Sequence, residues 1–538
     1  MRVRCWLQDS LLRIYPTGNR PADQADGQPW LEAGRGERLS FQLAIESLGR
    51  GDPARVSVSA AAPPGIAARV RRLGFVPVPY HNTETPDGEL DSMDHIPGYV
   101  PDPLFEESQT LLPAGQTAAF WITVRVDRDA KPGRFSIPLS VLCQGESVAE
   151  LTAEVIVHEA RIAPRKDFPV THWFYADAIL DWYRLSGFEE RFWTLLRQYL
   201  VNVAEHGQDT IYVPALTPPL DGVKRPTQLV AVQAAGERYA FDWSLVQRYV
   251  RLARDCGIDR FEWPHLFTQW GVANAIRVYH GRGEDERLLW PSETGATSEP
   301  YSGFLSQYLP ALRGFLDQEG ILERSLFHVS DEPHGDEHRR NYAAARNLLK
   351  RLAPWMQTMD ALSDIAYGRE HLTDMPIASI TTAVDFAREG LPSWAYFCCG
   401  PRGAYLNRLV DTPLAKIRMS GWLFYRFGMR GFLHWGYNYW YRHKTRTLVD
   451  PFTDLAAASW PGIPHGDPFV VYPGENGPLD SIRWEIFAES LGDYALLQTL
   501  GVDPQGQELC EIQGFDRFPK SVGWLRRTRA RLLARSTP

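Results

Sequence analysis

Cysteine is scarce. The 538-residue chain has six, at Cys5, Cys143, Cys256, Cys398, Cys399 and Cys510. They are scattered over a long chain and show no zinc-like spacing, which argues against a structural zinc module. Positive charge has no surplus: 57 Lys and Arg face 65 Asp and Glu, a formal net charge of −8, which excludes a general nucleic-acid binder. The opening residues, Met1-Arg2-Val3-Arg4-Cys5-Trp6-Leu7-Gln8-Asp9, lack the apolar core of about 7–15 residues that a secretory leader carries. No run reaches the ~20 apolar residues of a membrane helix. The expectation is a cytoplasmic protein with no membrane partner. HExxH, GxSxG, a phosphate loop and a dinucleotide fingerprint are all missing.

Aromatic residues are plentiful at 12%, with 18 Trp. They suit a large core, sugar-stacking platforms in a cleft, or both. Residues 1–160 alternate with period two between Pro/Gly turns, as in Leu39-Ser40-Phe41-Gln42-Leu43-Ala44-Ile45, and predict a β-sandwich. A linker at 162–166 follows. Beyond it, strand-like runs alternate with amphipathic helices. Strands are expected at 168–175, 210–214, 260–267, 326–330, 355–359, 377–384, 394–398 and 431–435. Helices are expected at 189–206, 243–256, 303–318, 338–352 and 414–427. Eight such units predict a (β/α)8 TIM-like barrel over 165–500, with a loop-rich stretch at 437–480 and a helix at 482–500. Residues 501–538 read as a C-terminal helical extension. Its basic end, from Trp524 to Arg535, is expected to dock by its Leu face with the arginines in solvent.

The most informative stretch is Ser330-Asp331-Glu332-Pro333, directly after the apolar run Ser325-Leu326-Phe327-His328-Val329. Two acids therefore stand where a strand ends, the position from which barrels present catalytic groups. Adjacent acids repel, and dividing them into one ionised and one protonated group suits acid-assisted glycoside cleavage. Retaining glycosidases hold acid and nucleophile about 5–5.5 Å apart across the scissile bond. Sequence neighbours fit that poorly, because strand side chains alternate faces. They fit substrate assistance better. The sugar's 2-acetamido oxygen attacks the anomeric carbon, one carboxylate orients that amide, and the other acts as acid and then base. A structural alternative has Asp331 capping the helix near Gly335. A metal set of His265, His328, His334 and Glu332 is a further alternative, as is a distant carboxylate partner, Glu262, Asp360 or Asp467, on a sugar without an acetamido group. A non-catalytic glycan binder is a fourth.

Strand ends also supply Trp173, Gln269, Trp270, Trp394, Tyr396, Trp435, Tyr437, Asn438 and Trp440. The chain resembles glycoside hydrolase family 123 and the surrounding domain family of unknown function 4091. The resemblance rests on 261–271, on His328-Val329-Ser330-Asp331-Glu332-Pro333, and on Cys398-Cys399-Gly400-Pro401-Arg402-Gly403 running to 431–440. It ends with Gly466-Asp467-Pro468, Val471-Tyr472-Pro473-Gly474 and Ser481-Ile482-Arg483. It implies an exo-acting, retaining β-N-acetylgalactosaminidase on glycans with terminal GalNAc. Asp331 would orient the acetamido group and Glu332 would be the general acid/base, with no metal or organic cofactor. Trp435 and Trp440 are expected to stack on sugar. His265, Trp394, Arg402, Tyr437, Asn438 and Asp467 are expected to contact substrate. The family usually has Gly where Pro468 stands, in a loop expected to close the sugar pocket.

Overall fold

The computed structural model describes residues 2–19, 31–81, 83–92, 94–219, 225–282, 286–456 and 463–535. Ten strands come first: β1 Val3–Asp9, β2 Leu31–Arg35, β3 Arg38–Ser47, β4 Ala54–Ala60, β5 Ile66–Val78, β6 Gly98–Phe105, β7 Gln109–Leu112, β8 Thr117–Val126, β9 Gly133–Cys143 and β10 Glu146–Arg161. They form two sheets, β1-β3-β8-β5-β6 and β2-β10-β9-β4-β7. The period-two pattern decides what each face does. On β8, Phe120, Ile122 and Val124 enter the core between the sheets. Their neighbours Ala119 and Trp121 join the larger core of the following region. The first sheet is thus buried on both faces, and β8 reads as an almost unbroken apolar run.

Eight parallel strands follow in chain order, with helices between most of them. From Thr210–Tyr212 the ladder passes through Arg260–Glu262 and Ser325–Leu326. A Phe327–Thr358 bridge carries it to Met359–Leu362. It then runs through Met375–Ser379, Trp394–Tyr396 and Phe432–His434 to Val170–His172. At the remaining seam, between Val170–His172 and Thr210–Tyr212, side chains replace the ladder. His172 Nδ1 lies 3.0 Å from Gln208 Oε1, and Val170 N donates to Asp209 Oδ1 at 2.8 Å. The eight strands therefore follow the expected order in two parallel sheets joined by one bridge, and a closed barrel is not shown. The fifth strand lies at Met359–Leu362 rather than 355–359, and the helix expected at 414–427 is split into Leu414–Arg418 and Ser420–Arg426. No helix among the described residues is long and apolar enough to cross a membrane.

Buried ion pairs join the two regions. Arg71 of β5 pairs with Asp480 and Glu485, Arg38 of β3 also pairs with Glu485, and Asp102 of β6 accepts both Nε and Nη2 of Arg483 at 2.9 Å. Burial opposes the charge on Asp480, but His206 and Arg71 hold its carboxyl well below the usual range. The terminal helix Val522–Ala534 belongs to the same network. Arg529 is buried against Glu37 and Asp493, and Arg526 pairs with Asp9, so neither arginine stands free in solvent as expected. Removing one member of a buried pair strands the other charge. Arg71→Ala should lower stability by about 3 kcal/mol, near the lower end for such pairs because Arg38 and His206 still face the stranded acids. Arg69→Ala, at an exposed pair with Glu106, should cost under about 1 kcal/mol. Denaturant midpoints of the two variants check this, and equal shifts would count against it.

Candidate active site

A cavity of about 630 Å³ opens at the C-terminal ends of the parallel strands. Its wall includes Trp173, Gln269, Trp270, Asp331, Glu332, His334, Tyr396, Cys398, Cys399, Trp435, His443, Lys444, Ile463 and Asp467. That volume suits a small ligand.

Adjacent residues on a strand would face opposite ways, yet Asp331 and Glu332 both line this cavity. The backbone supplies the reason. Glu332 has φ of 43°, in the left-handed region, which breaks the alternation. For a non-glycine residue this costs about 1–2 kcal/mol, and such strain concentrates at functional sites. Neighbouring groups fix the turn. Ser330 N donates to Asp360 Oδ1 at 3.2 Å and Ser330 Oγ to Thr268 O at 2.8 Å. Trp270 N donates to Asp331 O at 2.9 Å, and Glu332 N donates to Ala361 O at 3.0 Å.

Each carboxylate has a fixed donor. Gln269 Nε2 donates to Asp331 Oδ2 at 3.0 Å. Tyr396 OH donates to Glu332 Oε1 at 2.8 Å. Burial and the Glu332 charge push the Tyr396 phenol well up, so it keeps its proton and remains a donor. The helix Gly335–Leu352 has His334 as its N-cap residue and no side-chain cap, so Asp331 does not serve as one.

The same cavity is lined by Trp435, whose indole Nε1 donates to Asp467 Oδ2 at 2.9 Å. His434 Nε2 faces Asp467 Oδ1 at 3.4 Å. Gly436 N donates to His434 Nδ1 at 3.0 Å, so the proton of the neutral ring sits on Nε2. Burial pushes this imidazole down to about 4, against the pull of Asp467. The 466–468 loop packs so closely that a Cβ on Gly436 would lie 2.3 Å from Asp467 O.

Beneath the floor, Glu262, His328 and Asp360 are fully buried. Glu262 accepts from Thr171 Oγ1 at 2.6 Å, Trp173 Nε1 at 2.8 Å and His328 Nε2 at 2.8 Å. Asp360 accepts from the Val329 and Ser330 amides and from Tyr342 OH, and His328 Nδ1 lies 3.4 Å away. His265 stacks on His328 at 4.3 Å between ring centres, and donor atoms of His265, His328 and Asp360 lie close enough together for a metal. Neither His334 nor Glu332 belongs to that group, so the metal set expected from the sequence does not assemble.

Of the expected substrate contacts, Trp435 and Asp467 reach the wall of the cavity that the two acids line. Trp440 is wholly buried, packed edge-on to Trp182 and donating to Val471 O at 3.1 Å, with no face left for a sugar. Tyr437 is buried and donates to Asn202 Oδ1 at 2.9 Å. Asn438 is buried, accepting Tyr175 N and donating to Tyr175 O. His265 lies in the layer below, and Trp394 is buried against Gly431. Arg402 Nε donates to Cys399 O at 2.7 Å, behind the wall. His443, Lys444 and Ile463 had no signal in the sequence beyond a loop-rich composition. Lys444 Nζ sits 4.2 Å from the centre of the Trp270 ring at the cavity edge.

The model of the glycoside hydrolase 123 catalytic domain matches residues 173–500. No curated protein compared with the chain matches it. Among solved structures, a family 123 glycoside hydrolase from Clostridium perfringens, described for glycolipid glycan hydrolysis, superposes with a TM-score of 0.70 at 14% identity. The match covers 93% of this chain and 89% of that one. A GH5 xyloglucanase of Bacteroides ovatus reaches a TM-score of 0.31 at 11% identity, over 86% of this chain and 98% of its own, too loose a likeness to bear on this protein. The family model spans more than half of the chain and takes in both acids and the Trp435–Asp467 pair, so the chain belongs to the glycoside hydrolase 123 family and is a glycoside hydrolase.

Proposed function

We propose that the protein is an exo-acting, retaining β-N-acetylgalactosaminidase that removes terminal β-GalNAc from glycans with the help of the substrate's own acetamido group. The observation that carries this reading is the left-handed turn at Glu332, which brings two sequence-adjacent carboxylates to one cavity wall. Asp331, held by Gln269, orients the acetamido nitrogen and stabilises the charged ring formed when the acetamido oxygen attacks. Glu332, held by Tyr396, protonates the leaving oxygen and then takes a proton from the incoming water. Trp435 offers the stacking face, steadied by Asp467. Of the distant carboxylates, Glu262 and Asp360 are enclosed with His328 and do not line the cavity. Asp467 does line it, which favours one second reading: a plain sugar cleaved with Asp467 as the partner acid.

A panel of para-nitrophenyl glycosides separates the two. On the first reading β-GalNAc is cleaved, β-galactoside is not, and a GalNAc-derived thiazoline blocks turnover. Asp331→Asn should then slow even activated aryl substrates by about 10²-fold or more, because the acetamido step precedes every product. Cleavage of plain galactoside that ignores the thiazoline would overturn this reading and leave Asp467 as the partner.

A further inference from the structure

We propose that Cys398 and Cys399 form a two-sulfur capture site in the cavity wall for trivalent organoarsenicals, which close the cavity when bound. The two sulfurs lie 3.7 Å apart, both thiols are free and half-buried, and both residues line the same wall as Asp331 and Glu332. Their backbone is fixed. Asn407 Nδ2 donates to Cys398 O at 2.9 Å, Arg402 Nε donates to Cys399 O, and Cys398 N donates to Gly400 O at 3.0 Å. Neighbouring Cα atoms stand about 3.8 Å apart, below the ~4.4–6.8 Å that disulfides favour, so the pair resists linking to itself. One centre bonded to both sulfurs avoids that constraint.

The donor set selects the ligand class. Zinc requires three or four protein ligands, and among the described residues no His, Asp or Glu completes a three-ligand group with these sulfurs. A monosubstituted arsenous acid needs two. Each thiol gives its proton to one arsenic hydroxyl, two As–S bonds form as two As–O bonds break, and two waters leave. Arsenic stays trivalent, so no oxidant takes part. Hydrogen bonding to Cys399 and burial keep the Cys398 thiol protonated, ready to supply its proton.

Phenylarsine oxide is the probe, read first by intact mass and peptide mapping, which do not depend on any substrate. One adduct spanning Cys398 and Cys399 is expected, reversed by 2,3-dimercaptopropanol. C398S and C399S should each weaken it by about 10²-fold, since the second bond is intramolecular. An adduct mapped to other cysteines, or unchanged in either variant, overturns the site. The occlusion clause rests on the glycosidase reading, and GalNAc-thiazoline tests it by slowing adduct formation. An adduct formed at the same rate with the thiazoline bound would refute occlusion and leave the capture site standing.

Discussion

Glu332→Gln should lower turnover of unactivated glycosides by about 10²–10⁴-fold, the contribution of a positioned general acid. The replacement keeps the side-chain shape, so the left-handed turn and the Tyr396 hydrogen bond can persist while the transferable proton is lost. Aryl glycosides with acidic leaving groups need little protonation and should lose far less in the first step. Their second step still lacks a base for water. Azide, which needs no deprotonation, should therefore restore turnover of the activated substrate and give the β-glycosyl azide. Collapse of both substrate types to the same degree, with no azide rescue, would remove Glu332 from the acid/base role.

The reach of the sequence follows from what each signal depends on. Strand and helix order was legible because period two and period 3.6 are local: Tyr342, Ala345 and Leu349 on one face of Gly335–Leu352 announce that helix without outside help. The Asp331–Glu332 pair was legible because Pro333 and the apolar run place it at a strand end. The turn that makes both side chains face one cavity was not, since positive φ at a glutamate depends on the Thr268, Trp270, Asp360 and Ala361 partners around it. The two tryptophans expected to stack on sugar divide in the same way. Trp435 and Trp440 look alike in sequence, five residues apart on one segment. Only packing separates them: Asp467 holds Trp435 in the wall, while Trp182 and the Val471 carbonyl draw Trp440 into the core. Arg526 and Arg529 carry no local sign of their burial, because their partners Asp9 and Glu37 come from the distant sandwich.

The layer under the floor should matter as much as the wall. Replacing His328 by Leu leaves Glu262 and Asp360 buried without the imidazole that faces both of them. The donors that remain to the two acids, Thr171, Trp173, Tyr342 and two backbone amides, are neutral, so the expected loss lies at the upper end of the range, about 5 kcal/mol. The charge state gives a sharper test. Burial opposes protonation of this imidazole, but the Asp360 and Glu262 carboxylates facing it raise it from the usual range to about 10. A group raised on folding contributes its full stability below its unfolded value, about 6.5, and loses it as pH climbs towards the folded one. Wild-type stability should therefore decline between about pH 6.5 and 10 through this residue, and His328→Gln should flatten that decline. Denaturant midpoints across the window decide it: parallel curves for the two proteins would mean that His328 is not held as a cation. Activity should fall in the same direction. Asp360 keeps the Val329 and Ser330 amides in place partly through its pairing with His328, and those amides set the turn that aims Asp331 and Glu332 into one cavity.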